Sequence, residues 1–316
     1  MIGPLLNPAN VEKQLLGVFD PKLTELFAMV LKRKGVKRAM VVHGNSLDEL
    51  TITGKTKITE LNNGKIDTYE FDPFDNSIGI CNSTKVIEAG VLALDITQKY
   101  DDMALSYIKE NPSCKYIFIS SGAVYGSNFN KPVEKNTMTT FSVNSLKPQD
   151  WYGVAKFYAE CKHRALSNLS IVDVRIFSYF SHTQNITSGF LITDIVHSIK
   201  KRKTLKVSSK NIVRDYIGPS EIYQIISLVL KFKKSNKAID CYTKLPIDKI
   251  TLLKEVSSRF KLKYELIDSN VGINATGLKS NYFSKNNSAE LYGYKPSRTS
   301  LEVVLSEVDI ILNSCD

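Results

Sequence analysis

The chain has 316 residues, 43% hydrophobic and 23% charged, with a formal net charge of +10. This composition suits a globular protein of one or two domains with a sizeable core, and no apolar run approaches the ~18 residues that a bilayer-spanning helix needs. The start, Met1-Ile2-Gly3-Pro4-Leu5-Leu6-Asn7, lacks the basic and apolar regions of a secretory signal, so a cytoplasmic location is expected.

Between Pro21, suited to a first turn, and Gly35, suited to a stop, Leu23, Leu26, Phe27, Val30 and Leu31 fall at helical spacing and predict a helix over 20–35. A buried strand is expected over 38–43. The stretches 56–61 and 65–71 form a β-hairpin around Asn62-Asn63-Gly64, because Asn-Gly readily adopts the backbone of a tight hairpin turn. The turn-rich stretch 72–82 is the best domain boundary. Beyond it the pattern alternates: strand 77–81, helix 96–110, strand 115–120, helix 152–167, strand 170–177, helices 187–200 and 220–231, and a terminal helix from 300. Such alternation predicts a mainly parallel sheet with helices on its faces.

The five cysteines (Cys81, Cys114, Cys161, Cys241, Cys315) are odd in number and form no C-x-x-C pair, which argues for reduced thiols rather than a disulfide framework or a zinc site. The densest basic run, Lys200-Lys201-Arg202-Lys203, follows an amphipathic stretch and has no interleaved aromatics, so it reads as a solvated helix end rather than a nucleic-acid surface. The excess positive charge would raise the encounter rate with a small anionic substrate.

Two motifs carry chemistry. In Trp151-Tyr152-Gly153-Val154-Ala155-Lys156 the Tyr and Lys are four residues apart, which places both on one helix face, where an ammonium favours the phenolate of a tyrosine base. Alone, such a pair is an ordinary surface contact. Upstream, the apolar strand 116–119 runs into Ser120-Ser121-Gly122-Ala123-Val124-Tyr125-Gly126, placing a hydroxyl at the C-terminal end of a parallel strand, where such sheets bind ligands. Alone, it is a Ser/Gly turn.

Together, S-S-G-A-V-Y-G and the Y-x-x-x-K about thirty residues later resemble the extended short-chain dehydrogenases of the NAD-dependent epimerase/dehydratase family. So do the strand Val174-Arg175-Ile176-Phe177 and the R-D-Y-I motif Arg214-Asp215-Tyr216-Ile217. The resemblance covers about 82–315. It implies an incomplete Rossmann-like, mainly parallel α/β sheet with a small C-terminal substrate-binding region. Tyr152 would be the base, Lys156 would lower its pKa, and Ser121 would bind the reacting oxygen. Tyr152, Lys156 and Ser120 would contact NAD or NADP, and Arg214 and Tyr125 would contact a nucleotide-sugar diphosphate, which suits a planar guanidinium. The other reading of Arg214 is an ion pair with Asp215 or Glu221. The family's glycine-rich turn for the cofactor pyrophosphate is absent, and Gly218-Pro219-Ser220 departs from what usually follows R-D-Y-I.

Residues 2–75 instead resemble anthranilate phosphoribosyltransferase, through Gly3-Pro4-Leu5-Leu6-Asn7-Pro8-Ala9-Asn10, Gly17-Val18-Phe19 and His43-Gly44-Asn45-Ser46-Leu47-Asp48-Glu49-Leu50. That resemblance implies an α/β fragment with a β-hairpin, in which Asp48 and Glu49 would hold Mg²⁺ on phosphoribosyl diphosphate. The other reading of this acidic pair is a helix cap or an exposed turn, and that of His43 a satisfied strand-end histidine. The helical domain and phosphate loop of that transferase have no counterpart here. The expected organisation is therefore 1–75 transferase-like and 76–316 epimerase/dehydratase-like. The leading expectation is a nucleotide-sugar epimerase, dehydratase or reductase, possible as a homodimer, with no nucleic-acid or membrane partner. The alternatives are phosphoribosyl transfer, or a non-catalytic fusion product.

Overall fold

The computed structural model describes residues 13–44, 55–71, 90–268 and 279–313. The chain divides into two compact units, Met1–Ile80 and Cys81–Asp316. The strand expected over 77–81, the Asp48-Glu49 pair, and Cys81 and Cys315 lie outside the described residues.

In the first unit, β1 (Lys13–Gly17), α1 (Leu23–Arg33), β2 (Arg38–Gly44), β3 (Thr56–Asn62) and β4 (Lys65–Phe71) build a sheet of order β1-β2-β3-β4. β1 is parallel to β2, and the remaining pairs are antiparallel. Asn63 and Gly64, at φ 47° and 83°, supply the two left-handed residues that a two-residue hairpin turn demands. α1 packs Ala28 and Leu31 with Val41 and Leu61 in the core of this unit. It is shorter than expected because Asp20 to Leu23 close a turn first, with Leu23 N donating to Asp20 O at 3.0 Å. β1 was not expected: only Leu16 of its five residues is buried, so alternation gives no signal.

The second unit continues with α2 (Leu92–Glu110), β5 (Lys115–Ser121), α3 (Trp151–Ala165), β6 (Ser170–Ile176), β7 (Ser178–Tyr179), α4 (Leu191–Lys201), β8 (Leu205–Ser208), β9 (Val213–Arg214) and β10 (Tyr216–Ile217). After these come α5 (Pro219–Lys231), β11 (Asn236–Asp240), β12 (Ile247–Asp248), α6 (Lys249–Phe260), β13 (Tyr264–Ile267), β14 (Asn281–Tyr282) and α7 (Ser300–Asn313). The central sheet, β11-β6-β5, is parallel throughout, as the alternation of elements predicted. Among the described residues β5 is its edge, bonded to β6 alone.

β6 is buried on both faces, and the two faces differ in kind. Val172 and Val174 join Ile225 and Val229 of α5 in an apolar cluster. The alternate positions Asp173 and Arg175 bond side chains of α3. This β-period of two places a charged layer beneath the helix that carries Tyr152 and Lys156.

A second core, centred on Phe180, Ile195, Leu253, Val256, Val304 and Val308, holds α4, α6 and α7 together with the short strands β8 and β10. α4 starts at Leu191 rather than 187, because Gly189 takes φ 74° and Phe190 N is capped by Thr193 Oγ1 at 3.0 Å. Lys200 and Lys201 fill its last turn and Arg202 caps it at φ 51°, which is the helix end read from the sequence. No described helix is long and apolar enough to cross a membrane.

Candidate active site

β5 ends at Ser121, whose side chain accepts from Ala123 N at 3.2 Å and starts a tight turn over Gly122–Tyr125. The fit is close enough to require glycine at two places. A Cβ on Gly122 would overlap the Phe177 ring, and one on Gly153 would overlap the Ala123 carbonyl. The first turn of α3 therefore rests directly on the turn that follows Ser121. This contact carries Tyr152 and Lys156 to the end of β5.

The Lys156 ammonium donates to Ile119 O at 2.9 Å and lies 4.5 Å from the Phe118 ring centroid and 5.7 Å from that of Tyr152. Burial pulls its pKa down to about 8, against the opposing pull of Asp101, Glu160 and Asp173. Burial also pushes the Tyr152 phenol above its ordinary value, and a hydrogen bond with Ser121 works the other way. Ser121, Tyr152 and Lys156 thus form one group.

Sequence reasoning missed Tyr282. Its hydroxyl is 3.2 Å from Ser121 Oγ, and its ring meets Phe129 edge-on at 4.8 Å and Phe177 at 5.3 Å. The residue comes from 161 positions away because β14 pairs with β9, placing Tyr282 opposite Arg214. A two-residue strand has no periodic signal. The only cue available was an aromatic pair in Asn281-Tyr282-Phe283.

Arg214 is buried, and its guanidinium donates to Val213 O at 2.8 Å and Lys279 O at 2.7 Å, 5.7 Å from the Tyr282 ring. Burial lowers its pKa. Neither acidic neighbour suggested by the sequence pairs with it. Asp215 accepts from Thr243 N at 2.9 Å and from the Thr243 hydroxyl, and Glu221 accepts from Gly218 N at 3.0 Å and from Arg298.

Lys279 sits over the same rings, 4.6 Å from Tyr282 and 4.8 Å from Phe129. Burial and the Arg214 charge lower its pKa to about 8, partly offset by Asp150. Buried Lys249, lowered by burial and by Arg214, donates to the carbonyls of Ser208 and Lys210. Among the described residues Arg214 has no ion pair. This is a concentration of positive charge suited to an anion.

Two of the expected contacts are not brought to this group. The Ser120 hydroxyl is buried and donates to Glu160 Oε1 at 2.6 Å, because successive residues of a strand face opposite ways. The Tyr125 hydroxyl donates to Asp240 at 3.0–3.1 Å and accepts from Arg175 Nη1 at 2.6 Å. Arg175 also holds Glu160, and Ser284 completes Asp240. Both side chains are bonded within a polar layer beneath α3, and Tyr125 and Arg175 also line a pocket with Lys135, Thr137 and Asn286. In the first unit His43 Nδ1 bonds Val18 O at 2.8 Å, which makes it a satisfied strand-end histidine.

Comparison with known proteins bears on both units. Residues 1–100 match the model of the glycosyl transferase family, a/b domain, and residues 87–241 match that of the NAD dependent epimerase/dehydratase family. Over 74 residues the chain is 60% identical to anthranilate phosphoribosyltransferase of Alkaliphilus metalliredigens, and over 73 residues 55% identical to that of Methanocorpusculum labreanum. The chain spans about a fifth of the length of these curated relatives, 22% in each case.

Among solved structures it is similar to UDP-glucose 4-epimerase from Bifidobacterium longum in complex with NAD+ and UDP, with a TM-score of 0.60 at 18% identity over 74% of this chain and 75% of that one. It is also similar to UDP-N-acetylglucosamine 4-epimerase from Methanobrevibacter ruminantium, with a TM-score of 0.57 at 19% identity over 74% and 73%. At these identities the likeness is one of fold. The chain thus joins, in one polypeptide, a segment that matches the a/b domain of the glycosyl transferase family to a segment that matches the NAD dependent epimerase/dehydratase family and shares the fold of these epimerase structures.

Proposed function

We propose that the second unit is an NAD(P)-dependent nucleotide-sugar oxidoreductase of the epimerase, dehydratase or reductase type. The observation that carries this reading is the convergence of Ser121, Tyr152 and Lys156 at the end of β5, with Arg214 and Lys279 just beyond Tyr282. In this reading the Tyr152 oxygen takes the proton of a sugar hydroxyl, Ser121 donates to the reacting oxygen, and Lys156 stabilises the phenolate. Arg214, with Lys279, holds the diphosphate. A nicotinamide cofactor, when bound, would supply the hydride acceptor.

The residues fit only one end of such a cofactor. Half-buried Tyr152 and Lys156 suit the nicotinamide ribose. The pyrophosphate needs a glycine-rich turn on a strand beside β5, and no such strand is bonded to β5 among the described residues. Cofactor affinity is therefore expected to be weakened rather than redistributed. Titrating NADH into monodisperse full-length protein, with energy transfer from Trp151, the only tryptophan, tests this. Saturable transfer that weakens in Tyr152→Phe or Lys156→Ala is expected. Its absence up to millimolar cofactor, in folded protein, removes the dehydrogenase reading and favours a non-catalytic fusion.

A phosphoribosyl-transferring function is the second reading, supported by the identity of the N-terminal segment to its relatives. Magnesium-dependent binding of phosphoribosyl diphosphate would distinguish it.

A homodimer belongs to the same proposal. Tyr100, Met103 and Tyr107 lie 47%, 61% and 60% exposed on one stripe of α2, beside exposed Phe157 and Tyr158 of α3. Lys162 ties the two helices through Asp101 at 2.8 Å. Water-exposed aromatic stripes on paired helices mark an association surface. Light scattering should report a dimer mass, and Met103→Glu combined with Tyr107→Glu should yield the monomer.

A further inference from the structure

The hydrogen-bonding capacity of Ser121 is nearly accounted for. A serine hydroxyl has two acceptor sites and one proton to donate. Ala123 N–H fills one acceptor site at 3.2 Å. Tyr282 is 3% exposed and its hydroxyl is 3.2 Å from Ser121 Oγ. Burial holds this phenol well above the ordinary tyrosine range, so it keeps its proton, and a buried O–H requires an acceptor. Among the described residues Ser121 Oγ is the acceptor in contact with it. With both acceptor sites filled, the remaining proton of Ser121 has one use, to donate.

We propose that Tyr282 is a positioning residue for the Ser121–Tyr152 pair: its hydroxyl donates to Ser121 Oγ and thereby directs the Ser121 proton toward the Tyr152 oxygen in the ligand-free protein, the same proton that turns to the reacting oxygen once substrate enters. This rests on the assignment of Tyr152 as base. The ring of Tyr282 is fixed for the task by Phe129, Phe177 and Lys279, and its backbone by the pairing of β14 with β9. Asn281 N also donates to Phe129 O at 2.9 Å, and its side chain to Asn130 O at 2.8 Å, so the segment is tethered on both sides. The consequence is a bias of Tyr152 toward its phenolate, exerted from a residue that need not touch substrate. The same phenol lies against the Arg214 and Lys279 cations, so whatever anion binds there presses on the ring that orients Ser121.

The test uses the full chain with 3,5-difluorotyrosine placed at position 152 alone, whose ¹⁹F resonance follows ionisation near neutral pH. The charged groups around that phenol are Lys156 on its own helix and Arg214 and Lys279 behind Tyr282. Asp101, Glu160 and Asp173 lie near Lys156, and Asp150 precedes the helix. Tyr282→Phe keeps the ring and removes only the donor. It is expected to raise the titration midpoint by about half to one pH unit, the worth of one net hydrogen bond. In a Ser121→Ala background the same change should move nothing.

An unchanged midpoint in Tyr282→Phe overturns the proposal, as does an equal shift without Ser121, which would mean that Tyr282 acts directly. A midpoint indifferent to Ser121→Ala and Lys156→Ala as well would instead overturn the assignment of the base itself.

Discussion

Arg214→Met is expected to lower the affinity for a nucleoside diphosphate sugar by about two orders of magnitude or more, while leaving the ligand-free protein no less stable. A buried guanidinium is costly to desolvate unless a counter-charge offsets it. Here the structure offers it two backbone carbonyls and the face of Tyr282, and both neighbouring carboxylates are engaged elsewhere. Methionine of similar volume removes the charge and keeps the packing, so the free protein has little to lose. The bound state loses a charge-assisted contact that, for a buried partner, is worth ~2–5 kcal/mol. Half-buried Lys279, beside the same rings, should contribute less, about 1 kcal/mol for Lys279→Met. Calorimetric titration with UDP and a UDP-sugar, paired with urea unfolding of each variant, separates the two effects. Undiminished UDP binding in Arg214→Met would place the diphosphate elsewhere.

The three-residue group with Arg214, and its extension by Tyr282 and Lys279, differ in how far they could be read before the structure. Ser121 and the Tyr152–Lys156 pair were visible through the resemblance that their two motifs carry together, and their placement followed from long, patterned elements: a strand of apolar residues that ends in serines, and a helix whose period of 3.6 stacks positions four apart. Tyr282 and Lys279 were invisible because Tyr282 arrives on a two-residue strand, with Lys279 just before it, and the pairing that places them is with the distant β9. Ser120 and Tyr125 were assigned by adjacency in a motif. Strand alternation sent the first to the opposite face, and Arg175, which needs an acceptor, and Asp240, which needs a donor, drew in the second.

The helix α6 was missed although Leu252, Leu253 and Val256 carry a helical signal and Asp248 caps it, accepting from Thr251 N at 3.1 Å. By contrast β8 and β13, four residues each, had none. The hairpin of the first unit was legible because Asn63-Gly64 admits few backbones.

The polar layer beneath α3 leads to the second large effect, a loss of stability above neutral pH. His163, fully buried on α3, bonds Asp173 of β6 through Nδ1 at 2.6 Å and Asp101 of α2 through Nε2 at 2.7 Å. Lys162 and Arg164 complete the array on the two carboxylates, each at 2.8 Å. Burial alone would depress the imidazole pKa, but the two hydrogen bonds and the carboxylate charges raise it to about 9.

Because the folded pKa lies above the ~6.5 of the unfolded chain, this stabilisation is complete below pH ~6.5 and is lost as pH rises through about 9. Lys156 and Lys279, held down to about 8 by burial, act in the opposite sense, because the cost of their charge disappears only above pH 8. Asp215, raised to about 6 by burial despite its bonds to Thr243, is mostly ionised by the start of the window, and the rest of its titration acts in the same direction as that of His163. The clean interval is therefore pH 6.5 to 8, over which His163 alone should remove about 2 kcal/mol.

Urea unfolding followed by Trp151, on the same helix, should show the midpoint falling over that interval at constant slope, and His163→Gln should flatten the dependence. Asp173→Ala, which strips one carboxylate from a buried cation, should cost about 3–5 kcal/mol at pH 6. A midpoint that holds steady from pH 6.5 to 8 in the unmodified protein would mean that the imidazole is neutral. His163 would then join the Tyr152 helix to α2 and β6 by neutral hydrogen bonds, leaving charge attraction to the Lys162 and Arg164 ion pairs.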